Sequence, residues 1–143
     1  MEQTILPAGT TPTVFYCPVL MHVQAGFPSP AGDYMEPAID LNQHIIEHPA
    51  ATFFMRATGE SMTGAHIPAG ALLVIDRSLT PQHGSIVVAV INGEFTCKRL
   101  EKRLGKVRLM PENPKFDPIE ISEFTDFSIW GVVRAIVIDA KTV

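Results

Sequence analysis

The chain has 143 residues, 46% of them hydrophobic, which suits one domain built on a single core. A net charge of −4 and an isoelectric point near 5.7 argue against a dedicated nucleic-acid binder, since affinity for phosphate needs an excess of Lys and Arg. Cys17 and Cys97 fit neither a disulfide framework nor a CxxC metal pair, so they read as free thiols in a reducing cytoplasm.

Residues 1–32 carry Pro7, Pro12, Pro18, Pro28 and Pro30 together with Gly9, Gly26 and Gly32. Such a segment cannot form a regular helix and is expected to be an extended arm. Glu2 and the early prolines also exclude a secretory signal, although Val23-Gln24-Ala25 ends as a cleavage site would. No run reaches membrane-spanning length. The arm still holds Val14, Phe15, Val19, Leu20, Met21 and Val23. Exposed apolar area is unfavourable by about 25 cal/mol per Å², so the arm is expected to lie on its own domain, a dimer partner or another protein.

Residues 33–143 read as one compact domain. Asp40-Leu41-Asn42-Gln43 has the form of a capping box, with Asp40 accepting from free backbone N–H groups and Gln43 reaching back. A short helix should follow, with Leu41, Ile45 and Ile46 on one face and Pro49 as its stop. From Thr52 the pattern changes to short β-type runs: 52–57, 71–76, 85–91, 94–100, 106–110 and 127–139. Asn92-Gly93 between two of them is a type I′ hairpin signal. The fold class that results is mostly β: a compact antiparallel-sheet domain with one short helix and an extended N-terminal arm.

Chemistry points to two places. Gly59-Glu60-Ser61-Met62 follows a strand-like run, so Ser61 should sit where the chain leaves the sheet, with its hydroxyl exposed. The Ser61 N–H and a neighbouring amide could there be aimed at a carbonyl oxygen. Lys98 interrupts a hydrophobic strand on the face opposite Phe95 and Cys97, and a buried lysine can lose its charge and act as a base toward a serine. Each residue also has a plainer reading. A serine after glycine is commonly turn chemistry, and Lys98 beside Arg99, Lys102 and Arg103 could be a solvated edge lysine. A triad of Ser61, Asp76 and either His66 or His83 is a rival base arrangement with no defensible spacing. The five histidines form no HxH or HExxH pair, so neither a metal nor any other cofactor is called for.

Gly59-Glu60-Ser61-Met62, the run 71–76, His83-Gly84-Ser85-Ile86-Val87 and Glu94-Phe95-Thr96-Cys97-Lys98 together resemble, in order and spacing, the peptidase domain of the LexA/UmuD family of self-cleaving serine peptidases. Upstream, residues 25–31 resemble the cleavage region of UmuD-like members, as do residues 39–43. The resemblance implies Ser61 as nucleophile, Lys98 as general base and Ala25-Gly26 as the self-cleaved bond; for that chemistry the Glu60 and Ser61 amides are the candidate oxyanion donors. It further implies cleavage stimulated by RecA filaments on single-stranded DNA, a homodimer in the cytoplasm, and a processed form that serves a UmuC-like Y-family DNA polymerase in the SOS response. Direct sequence-specific DNA binding is not expected, because 25 residues before the bond cannot hold a helix-turn-helix domain. Ala25 departs from the cysteine found in UmuD and agrees with LexA. The exposed side chains of 127–139 are the expected dimer surface. A binding module that never cleaves and a peptidase acting in trans are the alternatives.

Overall fold

In a computed structural model, residues 14, 16–19, 23, 25–26 and 36–142 are described. The chain divides into two compact units, residues 1–44 and 45–143. In the first, β1 (Tyr16–Val19) pairs antiparallel with β2 (Glu36–Asp40). Neither strand is foreseen by the sequence, since Pro18 and Pro37 demote both runs. A two-stranded ribbon tolerates them because, among the described residues, each strand is paired on one side only. Val14 and Val23 are exposed, while Phe15, Leu20 and Met21 lie outside the described residues, as does the expected boundary between residues 32 and 33.

Asp40 caps the helix as expected, its Oδ1 accepting the Asn42 N–H at 3.0 Å. The helix, α1 (Leu41–Ile45), is only five residues long and buries none of them; Leu41, assigned to an apolar face, is 60% exposed.

The second unit is a seven-stranded antiparallel sheet. Its strands are β3 (Thr52–Arg56), β4 (Leu72–Asp76), β5 (Ile86–Ile91), β6 (Glu94–Arg103), β7 (Lys106–Met110), β8 (Ile119–Ile121) and β9 (Phe127–Val137). Their order across the sheet is β3-β4-β9-β5-β6-β7-β8. Six of the seven match the expected runs to within a few residues; β8 has three residues, too few for a period to register. Asn92 and Gly93 adopt φ of 50° and 83° between the paired Ile91 and Glu94, as a type I′ turn requires.

The alternation of β4 and β5 splits the core into two clusters. Leu73, Ile75 and Val88 join Met62, Ile67 and Ala71, whereas Val87 and Ala89 join Leu100, Leu109 and Val132. The interior strand β9 is irregular at two points, its pairing skipping Trp130 against β5 and Arg134 against β4. Such bulges bend a sheet and increase its twist. The coiling matters for the site: β3 and β6, with three strands between them in sheet order, line one cleft. Gly131, beside the first bulge, allows the close approach of Ile75. Because β9 is paired on both edges, by β4 and β5, only its side chains are available to a partner; those of Ser128, Arg134 and Val137 are exposed.

Candidate active site

Ser61 owes its position to the residues around it. Beyond β3, Ala57 continues the ladder by bonding Ala71 O at 2.9 Å and accepting from Gly70 N at 2.8 Å. Gly59 then reverses the chain at φ 77°, a conformation that suits glycine. Met62, 3% exposed, anchors the far side of the turn in the core, and its carbonyl accepts from Ala65 and Ile67. Ser61 is thus a half-buried residue between a glycine turn and a core anchor.

A second segment closes on this turn. β7 ends opposite Arg99, so among the described residues Glu94 to Lys98 of β6 have no ladder partner on that side. The chain leaving β7 bends toward Ser61 instead. The Glu112 N–H bonds the Ser61 carbonyl at 2.8 Å, the Glu112 carbonyl accepts the Gly64 N–H at 2.7 Å, and Asn113 Nδ2 bonds the Glu60 carbonyl at 2.9 Å. Arg99 ties the same loop to the lysine strand, with Nε 2.6 Å from Glu112 Oε1 and Nη1 donating to Gly84 O at 2.7 Å.

Lys98 is 9% exposed. Its Nζ lies 2.8 Å from Ser61 Oγ, 3.0 Å from Thr96 Oγ1 and 3.1 Å from Cys97 O. Burial holds its pKa below the usual lysine value, opposed by the Cys97 thiol. Among the described residues no carboxylate pairs with it, so no counter-ion restores the charged form. Burial likewise pushes the Cys97 thiol up to about 11, which keeps it protonated and unreactive at neutral pH. A lysine desolvated in this way, bonded to a serine hydroxyl, can take that hydroxyl's proton.

The pair opens into a cleft of about 260 Å³ with an apolar floor of Met62, Ile67, Leu73 and Val88 and a rim that includes Arg56 and Phe95. The N–H groups of Glu60 and Ser61 donate to no acceptor among the described residues. Ala25 and Gly26, in the first unit, are exposed and form a bend, and a Cβ at Gly26 would meet open space.

The histidine triad does not assemble. Asp76 is bonded to His48 and Ser78; His83 Nδ1 accepts the Lys102 N–H at 3.1 Å; His66 is exposed in the left-handed region; and neither His66 nor His83 lines the cleft. Among the described residues no group of three or more His, Cys, Asp or Glu could hold a metal ion, and no helix is long and apolar enough to cross a membrane. Sequence reasoning missed Thr96, Glu112 and Asn113. Alternation could have found Thr96, which shares a strand face with Lys98; nothing local points from Asn113 back to Ser61.

Comparison with known proteins agrees with this architecture. The Peptidase S24-like family model matches residues 18–134. Protein ImpA of Escherichia coli is 49% identical over 120 residues, covering 80% of this chain and 77% of its own. Protein MucA of Escherichia coli is 47% identical over 115 residues, covering 80% and 78%. LexA repressor 1 of Geobacter sulfurreducens is 38% identical over 120 residues, covering 84% of this chain and 59% of its own. The chain belongs to the Peptidase S24-like family, as a UmuD-like member, which bears out the resemblance drawn from the segments around Ser61 and Lys98.

Proposed function

We propose that this protein is a self-cleaving serine peptidase that cuts its own Ala25-Gly26 bond with a Ser61/Lys98 dyad. The observation that carries the reading is the 2.8 Å hydrogen bond between Lys98 Nζ and Ser61 Oγ at the mouth of the cleft. Neutral Lys98 takes the Ser61 hydroxyl proton as Oγ attacks the Ala25 carbonyl carbon. The Glu60 and Ser61 N–H groups, which donate to no acceptor among the described residues, donate to the developing oxyanion. Collapse breaks the C–N bond, and the Gly26 nitrogen leaves with the proton from Lys98. Water, giving a proton to Lys98, then attacks the Ser61 ester, and Lys98 returns that proton to Ser61 Oγ as the ester C–O bond breaks and the residue 25 carboxyl group is released. Tethering supplies the effective concentration that a slow dyad needs.

In this reading residues 1–32 are the substrate arm and residues 33–143 the peptidase domain. Cleavage is switched on by a RecA filament on single-stranded DNA, and the processed cytoplasmic homodimer serves a UmuC-like Y-family polymerase in SOS mutagenesis. The acidic net charge suits a protein that reaches DNA only through such partners. Purified protein incubated with RecA, a nucleotide analogue and single-stranded DNA should yield a product beginning at Gly26. Ser61→Ala and Lys98→Ala should give none, and His83→Ala should cleave normally. An intact wild-type chain under these conditions would favour the non-cleaving binding module. Mixing intact wild type with a Ser61→Ala chain distinguishes cleavage within a chain from cleavage between chains.

A further inference from the structure

We infer that Asn113 is a positioning residue that aims the Ser61 backbone N–H at the oxyanion. The inference rests on the Ser61/Lys98 reading above and adds a residue to it. In a trans peptide the carbonyl and the following N–H point in opposite directions, and among the described residues no peptide is cis. Fixing the Glu60 carbonyl therefore fixes the Ser61 N–H. Asn113 Nδ2 does so, bonding Glu60 O at 2.9 Å and reaching Thr63 Oγ1 at 3.4 Å. The other end of the amide is committed elsewhere: Asn113 Oδ1 accepts the Lys115 N–H at 3.0 Å, an Asx turn that sets the orientation of the whole amide. The next backbone position is held independently, by the Glu112 N–H on the Ser61 carbonyl. Two adjacent carbonyls of the nucleophile turn are thus held from one loop, and that loop is fastened to the lysine strand by Arg99 and Glu112. Preorganised donors are effective only if they need no reorientation when the charge develops.

Asn113→Asp separates this role from a merely structural one. The isosteric aspartate keeps the acceptor for Lys115 but sets a carboxylate oxygen, which cannot donate, against the Glu60 carbonyl, leaving that carbonyl only the longer bond from the Thr63 N–H at 3.4 Å. Self-cleavage would be followed as a function of pH. The expected result is a plateau lowered by about tenfold or more, a midpoint unchanged because Lys98 keeps its surroundings, and an unfolding temperature close to that of wild type. A full plateau overturns the inference. So does a shifted midpoint, which would mean action through Lys98, or a loss of rate matched by loss of folded protein. A crystal structure of Asn113→Asp reads the same point without activity: the Glu60-Ser61 peptide should have turned, and an unmoved peptide overturns the inference. Cleavage retained by Ser61→Ala would sink the dyad reading instead, leaving the peptide measurement to decide the fate of the clamp.

Discussion

Lys98 Nζ bonds Ser61 Oγ at 2.8 Å while its other contacts, Thr96 Oγ1 and Cys97 O, are both acceptors. A neutral amine has two N–H groups and one lone pair, which match those two acceptors and the Ser61 hydroxyl proton. The ammonium form would donate to all three. Both states are satisfied, so the choice between them falls to burial, which favours the neutral amine.

Cleavage should therefore rise with pH as Lys98 loses its proton, with a midpoint below the ordinary lysine value of 10.5. Lys98→Arg should be inactive across the same range, since a guanidinium stays charged and cannot accept the proton. The pH–rate profile without RecA measures both. A flat profile would remove Lys98 from the role of base.

The same burial has a consequence for folding. Because the folded pKa is lowered, the unfolded chain holds the Lys98 proton to higher pH, and stability rises with pH between the two values. Below the folded pKa the penalty of burying the charge is present in full. Lys98→Met, similar in volume and uncharged, should raise the urea midpoint at pH 7 while abolishing cleavage. The gain should shrink as pH approaches that of free lysine.

Gly64 tests the loop that holds the nucleophile. A Cβ at this position would collide with the Glu112 carbonyl, whose hydrogen-bond partner is the Gly64 N–H. Gly64→Ala should displace the loop, costing about 1–3 kcal/mol of stability, and should reduce cleavage in the fraction that remains folded. Denaturant unfolding together with cleavage of the folded fraction separates the two effects. Gly70→Ala is a useful contrast, because its Cβ meets open space and only its φ of 89° is strained.

Much of this was legible in the chain because it is local. β3 to β7 and β9 follow short runs of β-type residues set off by glycine and proline, and the Asn92-Gly93 turn follows from the φ values a type I′ turn demands. Residue type and the family resemblance pair Ser61 with Lys98 as nucleophile and base, but nothing local sets their contact, which spans 37 positions and depends on how the sheet coils. Of the bulges at Trp130 and Arg134 that accompany this coiling, only the first has a local signal, the strand glycine Gly131 beside it. Nothing local points to the clamp by Glu112 and Asn113 either. The partnership of His48 with Asp76 leaves no local signal, because the two lie 28 positions apart.

The His48–Asp76 pair gives a prediction in the acid range. Nδ1 and Oδ2 are 2.5 Å apart, and Ser78 donates to Asp76 Oδ1 from its N–H at 2.8 Å and its hydroxyl at 2.6 Å. Burial works against the Asp76 charge, but the bonds from Ser78 and His48 outweigh it and lower the pKa. His48 is raised by its bond to Asp76. The aspartate's contribution is present above its ordinary pKa of 3.8 and lost as pH falls through the lower folded value. The histidine's is complete below 6.5 and lost as pH rises through its higher folded value. Stability from the pair is therefore greatest between about pH 4 and 6.5. Asp76→Asn should cost about 1–3 kcal/mol and flatten this part of the profile; an unchanged profile would mean that the pair contributes nothing.

Leu104 offers a gain. It occupies the two-residue turn between β6 and β7 with Gly105, at φ of 51° and 73°, and is 101% exposed. The left-handed region costs an L-residue with a branched side chain roughly 1 kcal/mol, and a fully exposed leucine recovers none of it by burial. Asparagine tolerates that region and is the favoured residue before glycine in such turns, as Asn92 illustrates in the neighbouring hairpin. Leu104→Asn should stabilise the fold by about 0.5–1 kcal/mol, a rise of roughly 1–4 °C in unfolding temperature. The turn lies outside the set of residues lining the cleft, so the cleavage rate should stay at the wild-type level. A lower unfolding temperature would show that Leu104 has a partner in solution, such as a second copy of the chain, and repeating the measurement across protein concentration would identify it.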